Sequence, residues 1–246
     1  MYTPAKDGIE KTAHAVRYTE AEPPSDLSSF VYCFWELKTD GALSEDFRLH
    51  ATPDACVDIM FNEFDTSIAG ITALRTTYEV LNLGRNFHYV GIQFLPGVWQ
   101  GSQDEIAHEY IGEPYEGSLP LIATNNKMAG LNFAEKQAVM SELVRQLASE
   151  KIVIANPITE KILTRLDNIH SVADMAKLAG VSPRQLQRTL KQSTGFAPHD
   201  LLKVLRLQRS YTQPDLSIYA DQSHFIRSFR KATGYTPSKY TEKFEV

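Results

Sequence analysis

The segment SVADMAKLAGVSPRQLQRTLKQ, residues 171–192, restricts the fold more than any other stretch of the chain. Ser171 and Ser182 each precede an amphipathic pattern, and serine is a residue type that caps helix N-termini. Counted from Val172, a small residue falls at position 5, glycine at position 9 and an apolar residue at position 15. The small residue lets two helices cross closely, and glycine suits the positive φ of a tight turn between them. The spacing therefore predicts a helix-turn-helix unit.

The exposed stripe of the predicted second helix carries side chains suited to reading DNA. Four polar residues recur on it at helical spacing: Arg184, Gln187, Arg188 and Lys191. Arginine contacts guanine, and glutamine contacts adenine, through paired hydrogen bonds. Lys191, further along, suits a phosphate contact. The alternative is a plain solvated face, but the helix-turn-helix frame places this face in the major groove.

A second copy of this helix and the turn after it follows 39 residues later. The shift aligns four pairs of residues: Leu186 with Phe225, Arg188 with Arg227, Leu190 with Phe229, and Lys191 with Arg230. The tripeptide TGF, residues 194–196, aligns with TGY, residues 233–235, and a proline follows in both copies. The glycine suits a helix C-terminus, and the proline suits the start of the next helix. The repeat predicts a recognition helix, a stop and a supporting helix twice.

Charge separates the chain into two parts. Residues 158–246 carry 14 Lys and Arg against 8 Asp and Glu, a net charge of +6, whereas residues 1–157 carry −11. A basic segment beside an acidic one is typical of a DNA-facing domain attached to a domain with other duties. The alternative is chance variation of the surface. Two cysteines, no signal-peptide pattern and no long apolar run predict a cytoplasmic protein without a membrane span.

Short strands dominate residues 30–100. Four stretches rich in β-branched and aromatic residues alternate with turn residues: FVYCFWEL, CVDIMFN, TYEVLNL and FHYVGIQF. They predict an antiparallel barrel or sandwich. Ser102 suits the cap of a helix over 103–110, and residues 133–150 have the stripe of an amphipathic helix. That helix packs on its own domain or, alternatively, on a second copy.

The boundaries follow from these patterns. Residues 1–150 are predicted to form the first domain, and KIVIANP, residues 151–157, reads as a linker. Residues 158–246 are predicted to form the helix-turn-helix domain.

The motifs AxxxGVSPRQLQR and YADQSHFIRSFRKATGYTPSKY resemble those of the AraC family of bacterial transcription regulators. The resemblance covers roughly residues 158–243, where APHDLLKVLRLQRSY is similar to the long helix that joins the two units in that family. The stretches LSSFVYCFWEL, HATPDACVDIMFN and VGIQFLPGVW look like the cupin-like N-terminal domain of one branch. The implied fold class is α+β, with a cupin-like antiparallel barrel followed by an all-α DNA-binding domain.

The resemblance also implies which residues contact DNA. Arg184, Gln187 and Arg188 match the first base-contacting helix, and a second set matches the other: Gln222, Ser223, His224 and Arg227. Family members usually have about ten more residues before the second helix, whereas this chain has only TQPDLSI. Pro214 forbids one continuous helix there. We therefore expect a shortened second unit in which Arg230 and Lys231, like Lys191, contact phosphate.

A cupin-like barrel can also be an enzyme. Metal-dependent cupins show paired histidines, but here His50 and His88 are isolated, so a metal site would have to combine them with Glu63. We predict no metal, cofactor or catalytic residue. Asp54 and Asp58 flank Cys56, either in a pocket or on the surface, and three aromatic residues either wall a cavity or form core: Trp35, Phe94 and Trp99.

The sequence thus predicts a transcriptional regulator whose partner is double-stranded DNA. A small-molecule effector and a homodimer are expected by analogy. The alternatives are a metal-dependent cupin enzyme and a partner of other regulators that does not itself bind DNA.

Overall fold

The computed structural model describes residues 4, 8–72, 74–102, 105–107, 112–212 and 222–245. Strands come first along the chain and helices last. The strands are β1 (Val16–Ala21), β2 (Val31–Thr39), β3 (Phe47–Ala51), β4 (Asp58–Asn62), β5 (Ala69–Thr72), β6 (Glu79–Gly84), β7 (His88–Phe94) and β8 (Ile106–Ala107). The helices are α1 (Leu121–Met128), α2 (Phe133–Ser149), α3 (Pro157–Thr164), α4 (Val172–Ala179), α5 (Pro183–Thr194), α6 (Pro198–Thr212), α7 (Gln222–Thr233) and α8 (Pro237–Lys243). We call residues 8–156 the strand-rich part and residues 157–245 the helical part.

The main sheet is open, so the predicted barrel is wrong. Its six strands run in the order β1-β2-β7-β4-β5-β8, and β3 and β6 form a separate pair. Pairing is antiparallel except between β5 and β8. Within the described residues β1 and β8 are the two edges of this sheet and do not pair, and α1 and α2 cover one of its faces and bury its apolar side chains. A sheet whose face is covered by helices does not need to close on itself.

The four predicted strand stretches are confirmed as β2, β4, β6 and β7. Trp35 on β2 lies across β7 at Gly91, where a methyl group would collide with the indole ring. The indole N–H donates to Asp58 Oδ1 on β4 at 2.8 Å. Trp35, Phe94 and Trp99 are all buried core residues. Asp54 is half-buried, and its carboxylate accepts a hydrogen bond from Gln93 Nε2 at 2.7 Å.

Helix α2 confirms the amphipathic pattern and packs on its own domain. Asn132 and Glu135 form a reciprocal cap at its start. Its buried face contacts the sheet through four residues: Met140, Leu143, Val144 and Leu147. The helix predicted over 103–110 lies mostly outside the described residues, but Ile106–Ala107 form a strand because Ile71 and Thr72 pair with them.

Residues 151–156 are tied to the strand-rich part by backbone hydrogen bonds. Val153 bridges Trp99, and the N–H of Gln100 donates to the carbonyl of Ile152 at 2.8 Å. Helix α3 then begins at Pro157, with Asn156 as its N-cap. No helix of the described chain is long and apolar enough to cross a bilayer.

The two parts share a packed boundary. Ala55 and Cys56 are buried in the core of the helical part, and Gln208 on α6 donates to the carbonyl of Pro53 at 2.7 Å. Near the chain ends, Gly8 pairs with His50, and Glu10 pairs with Phe244. The helical part is therefore held at several separate points along the strand-rich part.

Candidate nucleic-acid interface

The first helix-turn-helix unit consists of α4 and α5. Ser171 caps α4 by accepting a hydrogen bond from the N–H of Asp174. Gly180 ends the helix with φ of 73°, a left-handed conformation that glycine adopts without strain. Ser182 caps α5 in the same way as Ser171 caps α4, and Pro183 occupies the first helical position. The predicted caps and turn are all present.

Helix α5 has one buried face and one polar face. Leu186 and Leu190 are fully buried in the helical core with Met175 of α4. The polar face is exposed and carries the four predicted residues: Arg184, Gln187, Arg188 and Lys191. Lys191 Nζ donates to the carbonyl of Gly195 at 2.7 Å, so its charge lies at the C-terminal end of α5. The face is therefore cationic over its whole length.

Helix α7 repeats this design. Phe225 and Phe229 are buried, and the polar side is exposed. On that side lie all six residues predicted for the second copy: Gln222, Ser223, His224, Arg227, Arg230 and Lys231.

The ends of α5 and α7 match in detail. Thr194 and Thr233 are buried, and each hydroxyl donates to the carbonyl one turn earlier, at 2.6 and 2.9 Å. Each hydroxyl also accepts the N–H of the aromatic residue after the glycine. Gly195 and Gly234 have φ of 70° and 78°. The repeat read from the sequence is thus a repeat in structure.

The support of α7 comes from α6, from α8 and from the strand-rich part. Leu207 and Tyr211 of α6 pack with Phe225 and Phe229, and Tyr240 of α8 closes this small core. The segment expected to be shortened, including Pro214 and Tyr219, lies outside the described residues.

The strand-rich part reaches the end of α7 through Tyr78. The backbone N–H of Tyr78 donates to the carbonyl of Ala232 at 2.7 Å. The Tyr78 ring lies so close to Gly234 that a methyl group there would be 2.8 Å from the ring. The C-terminal end of α7 is therefore in contact with a loop of the strand-rich part.

His50 on β3 is the centre of this contact. We call the aromatic cluster the set of rings around it: His50, Tyr78, Tyr235, Tyr240 and Phe244. His50 is 3% exposed, and neither ring nitrogen makes a hydrogen bond of good geometry within the described chain. Burial lowers the pKa of His50, and its interaction with the Thr233 backbone partly offsets this effect. No sequence pattern indicated this cluster, because its members are dispersed over nearly 200 residues.

The chain ends add polar contacts beside the cluster. Lys243 makes an ion pair with Glu10 at 3.1 Å, and Lys11 Nζ donates to the carbonyl of Thr241 at 2.7 Å. The N–H of Lys11 also donates to the carbonyl of Lys243 at 3.0 Å. The N-terminal segment therefore pairs with the end of α8.

The residues considered for a metal site lie in three different environments. His50 is in the aromatic cluster, Glu63 makes a buried ion pair with Lys136, and His88 lies 2.9 Å from Glu36. Among the described residues, no group of three or more His, Cys, Asp or Glu side chains could hold a metal ion. His50, Glu63 and His88 therefore do not come together at one site.

Comparison with known proteins identifies the two parts separately. Residues 175–243 match the helix-turn-helix domain family, and residues 19–111 match a domain of unknown function, DUF6597. No curated protein matches the chain significantly.

Among solved structures, ToxT from Vibrio cholerae O395 is similar, with a TM-score of 0.43, 10% identity, and 92% of this chain and 97% of that chain covered. A P21 crystal form of ToxT from Vibrio cholerae gives a TM-score of 0.39 and 10% identity, with 92% and 96% covered. ToxT bound to (E)-4-(8-methylnaphthalen-1-yl)but-3-enoic acid gives 0.36 and 11%, with 92% and 97% covered. TM-scores this low do not support a conclusion about function. The function is therefore inferred from this chain's own residues and from the helix-turn-helix match.

The AraC-type helix-turn-helix predicted from the sequence is confirmed by the matched domain and by the capped α4–α5 unit. The chain is a DNA-binding transcriptional regulator.

Proposed function

We propose that α5 inserts into the major groove and reads the operator, while the α7 unit clamps the neighbouring DNA mainly through its phosphates. The observation that carries this proposal is the exposed face of α5, on which Arg184, Gln187 and Arg188 follow a capped N-terminus and a glycine turn. Residues near the N-terminus of a recognition helix are those that reach base edges. Lys191, in the last turn of α5, suits a contact with the phosphate backbone.

The second unit contributes a mixed set of contacts in this proposal. Gln222, Ser223, His224 and Arg227 occupy the first half of α7, the positions that the family resemblance assigns to base contacts, but in this proposal they do not select the operator sequence. Arg230 and Lys231 lie in its last turn and suit phosphate. Because the end of α7 contacts Tyr78 and lies beside the aromatic cluster, the position of α7 depends on the strand-rich part. We infer that it acts as a fixed clamp rather than as a second independent reader.

The strand-rich part is proposed to be the regulatory domain. Its contacts at Tyr78 and His50 give it a direct route to α7, so a change in its structure would alter DNA binding. We also propose that the chain responds to a small-molecule effector and forms a homodimer. In this proposal it acts in the cytoplasm and has no enzymatic activity. The contacts of the strand-rich part with the DNA-facing helices favour a regulatory role over a catalytic one.

The experiment is equilibrium binding of the purified chain to genomic DNA fragments and to scrambled duplexes at fixed salt. We expect Arg184→Ala combined with Arg188→Ala to abolish the preference for selected fragments while leaving weak binding to both. Lys161→Ala combined with Arg165→Ala removes two other exposed cations of the same domain, so it is the charge-matched control and should keep the preference. A double variant that still discriminates between the duplexes would contradict the proposal.

A further inference from the structure

A cleft of about 610 Å³ lies between the strand-rich part and α3. One wall comes from the end of β1 and the start of β2, and the opposite wall comes from α3, including Thr159 and Leu163. Leu95 and Val98, which flank the turn after β7, complete it. Its size is that of a site for a small organic molecule, and such sites occur preferentially at domain boundaries.

The cleft is apolar inside and acidic at its mouth. Val31, Val98 and Leu163 are buried side chains that line it. Three exposed carboxylates, Glu20, Glu22 and Glu160, also line it, and none of them forms an ion pair within the described chain. Its described lining contains no Lys, Arg or His. The charged side chains that line the cleft would therefore repel an anionic ligand and attract a cation.

The carboxylates influence the inner wall. Burial raises the pKa of Tyr32 and of Cys33, and for both groups the negative charge of Glu20 is the next largest cause. The charge of Glu20 therefore acts on the inner wall at Tyr32 and Cys33, where it favours a positive group on a ligand.

The cleft is also connected to the recognition helix. Between Leu95 and Val98 the chain turns at Gly97, where an added methyl group would lie 2.8 Å from Thr159 Cγ2 and 3.1 Å from Thr194 Cγ2. Thr159 belongs to α3, and Thr194 is the last residue of α5. The carbonyl of Gly97 also accepts a hydrogen bond from Asn156 Nδ2, the N-cap of α3, at 3.1 Å. A ligand that moves this turn would therefore move the end of α5.

We propose that the cleft binds an amphipathic organic cation, with its apolar body between Val31, Val98 and Leu163 and its ammonium group at Glu20, Glu22 and Glu160. Occupancy changes DNA affinity through the turn at Gly97. The coupling to DNA affinity rests on the proposed regulatory function, whereas the binding of the cation does not.

The test is calorimetric titration of the full chain, without DNA, with decyltrimethylammonium below its micelle concentration and with decanoate as the anion of equal chain length. We expect saturable binding of the cation at one site and about tenfold weaker binding of decanoate, a difference of ~1.4 kcal/mol. Glu20→Gln and Glu160→Gln should each weaken cation binding by about threefold, as for partly exposed charge pairs. Ser29→Lys, at an exposed position of the lining, should reduce the preference for the cation. Glu45→Gln, an exposed carboxylate elsewhere, should change nothing.

Equal affinity for the two amphiphiles, or cation binding that is insensitive to the Glu20 and Glu160 variants, would overturn the site, provided that circular dichroism shows the chain still folded. A second titration with operator DNA tests coupling. We expect saturating cation to shift the DNA dissociation constant by about fivefold or more, the lower end of ordinary allosteric coupling. An unchanged constant with a filled cleft would overturn the coupling alone, and failure to bind DNA without ligand would contradict the proposed function instead.

Discussion

The imidazole ring of His50 lies parallel to the ring of Tyr78, with the two centroids 4.8 Å apart and the planes inclined by 11°. This stack joins the strand-rich part to the unit that carries the second recognition helix, because the Tyr78 backbone also binds Ala232 of α7. In this chain the second unit is supported from outside the helix-turn-helix domain.

Acid should weaken this support. The pKa of His50 is lowered below the ordinary value of 6.5 by burial, while Glu10 opposes and Lys243 reinforces the shift. Between the lowered pKa and about 6.5 the unfolded chain binds more protons, so stability is complete above this window and falls as pH decreases through it. We expect His50→Phe to flatten the decrease in melting temperature between about pH 7.5 and pH 5.5. His14→Asn, at an exposed histidine, should retain the slope. Parallel slopes for wild type and His50→Phe would show that the ring does not carry this dependence.

The paired glycines at the ends of α5 and α7 allow a matched test of the interdomain contact. Gly195→Ala should cost about 1–2 kcal/mol of stability because a methyl group is strained in the left-handed conformation. Gly234→Ala should cost more, because the methyl group also meets the Tyr78 ring at 2.8 Å, whereas the nearest atom to Gly195 is 3.7 Å away. Chemical denaturation measures both. Adding Tyr78→Ala should reduce the cost of Gly234→Ala and leave that of Gly195→Ala unchanged, and equal costs throughout would refute the contact.

Arg188→Ala tests the first recognition helix. We expect specific binding to weaken by about 1–3 kcal/mol and the preference at one base pair to relax, because a bidentate contact is lost. Affinities for the operator and for single-base variants give the measurement. Equal losses on specific and scrambled DNA would make Arg188 a phosphate contact.

Arg230→Ala tests the clamp. Here the affinity should fall for all sequences alike, and the slope of log affinity against log salt should decrease by about one. A loss confined to the operator would instead assign Arg230 to base recognition.

Local features of the helical part could be predicted because short-range chemistry determines them. The two serine caps, the turn at Gly180 and the Thr-Gly-aromatic ends each depend on neighbours within a few residues. The strand-rich part was predicted less well. Strand β1 is mostly polar and exposed, and β5 has only four residues with a central glycine, so neither shows a clear strand pattern. The open sheet and the stack of His50 on Tyr78 depend on contacts between distant segments, which no single pattern encodes.

Selection from random-sequence duplex DNA by the purified chain, at fixed and near-physiological salt, tests the central claim most directly. One enriched block of about one half-site would show that α5 reads the operator and that the α7 unit only clamps it. Two enriched blocks about ten base pairs apart would contradict the account, because they would show that α7 also enters the groove as a reader.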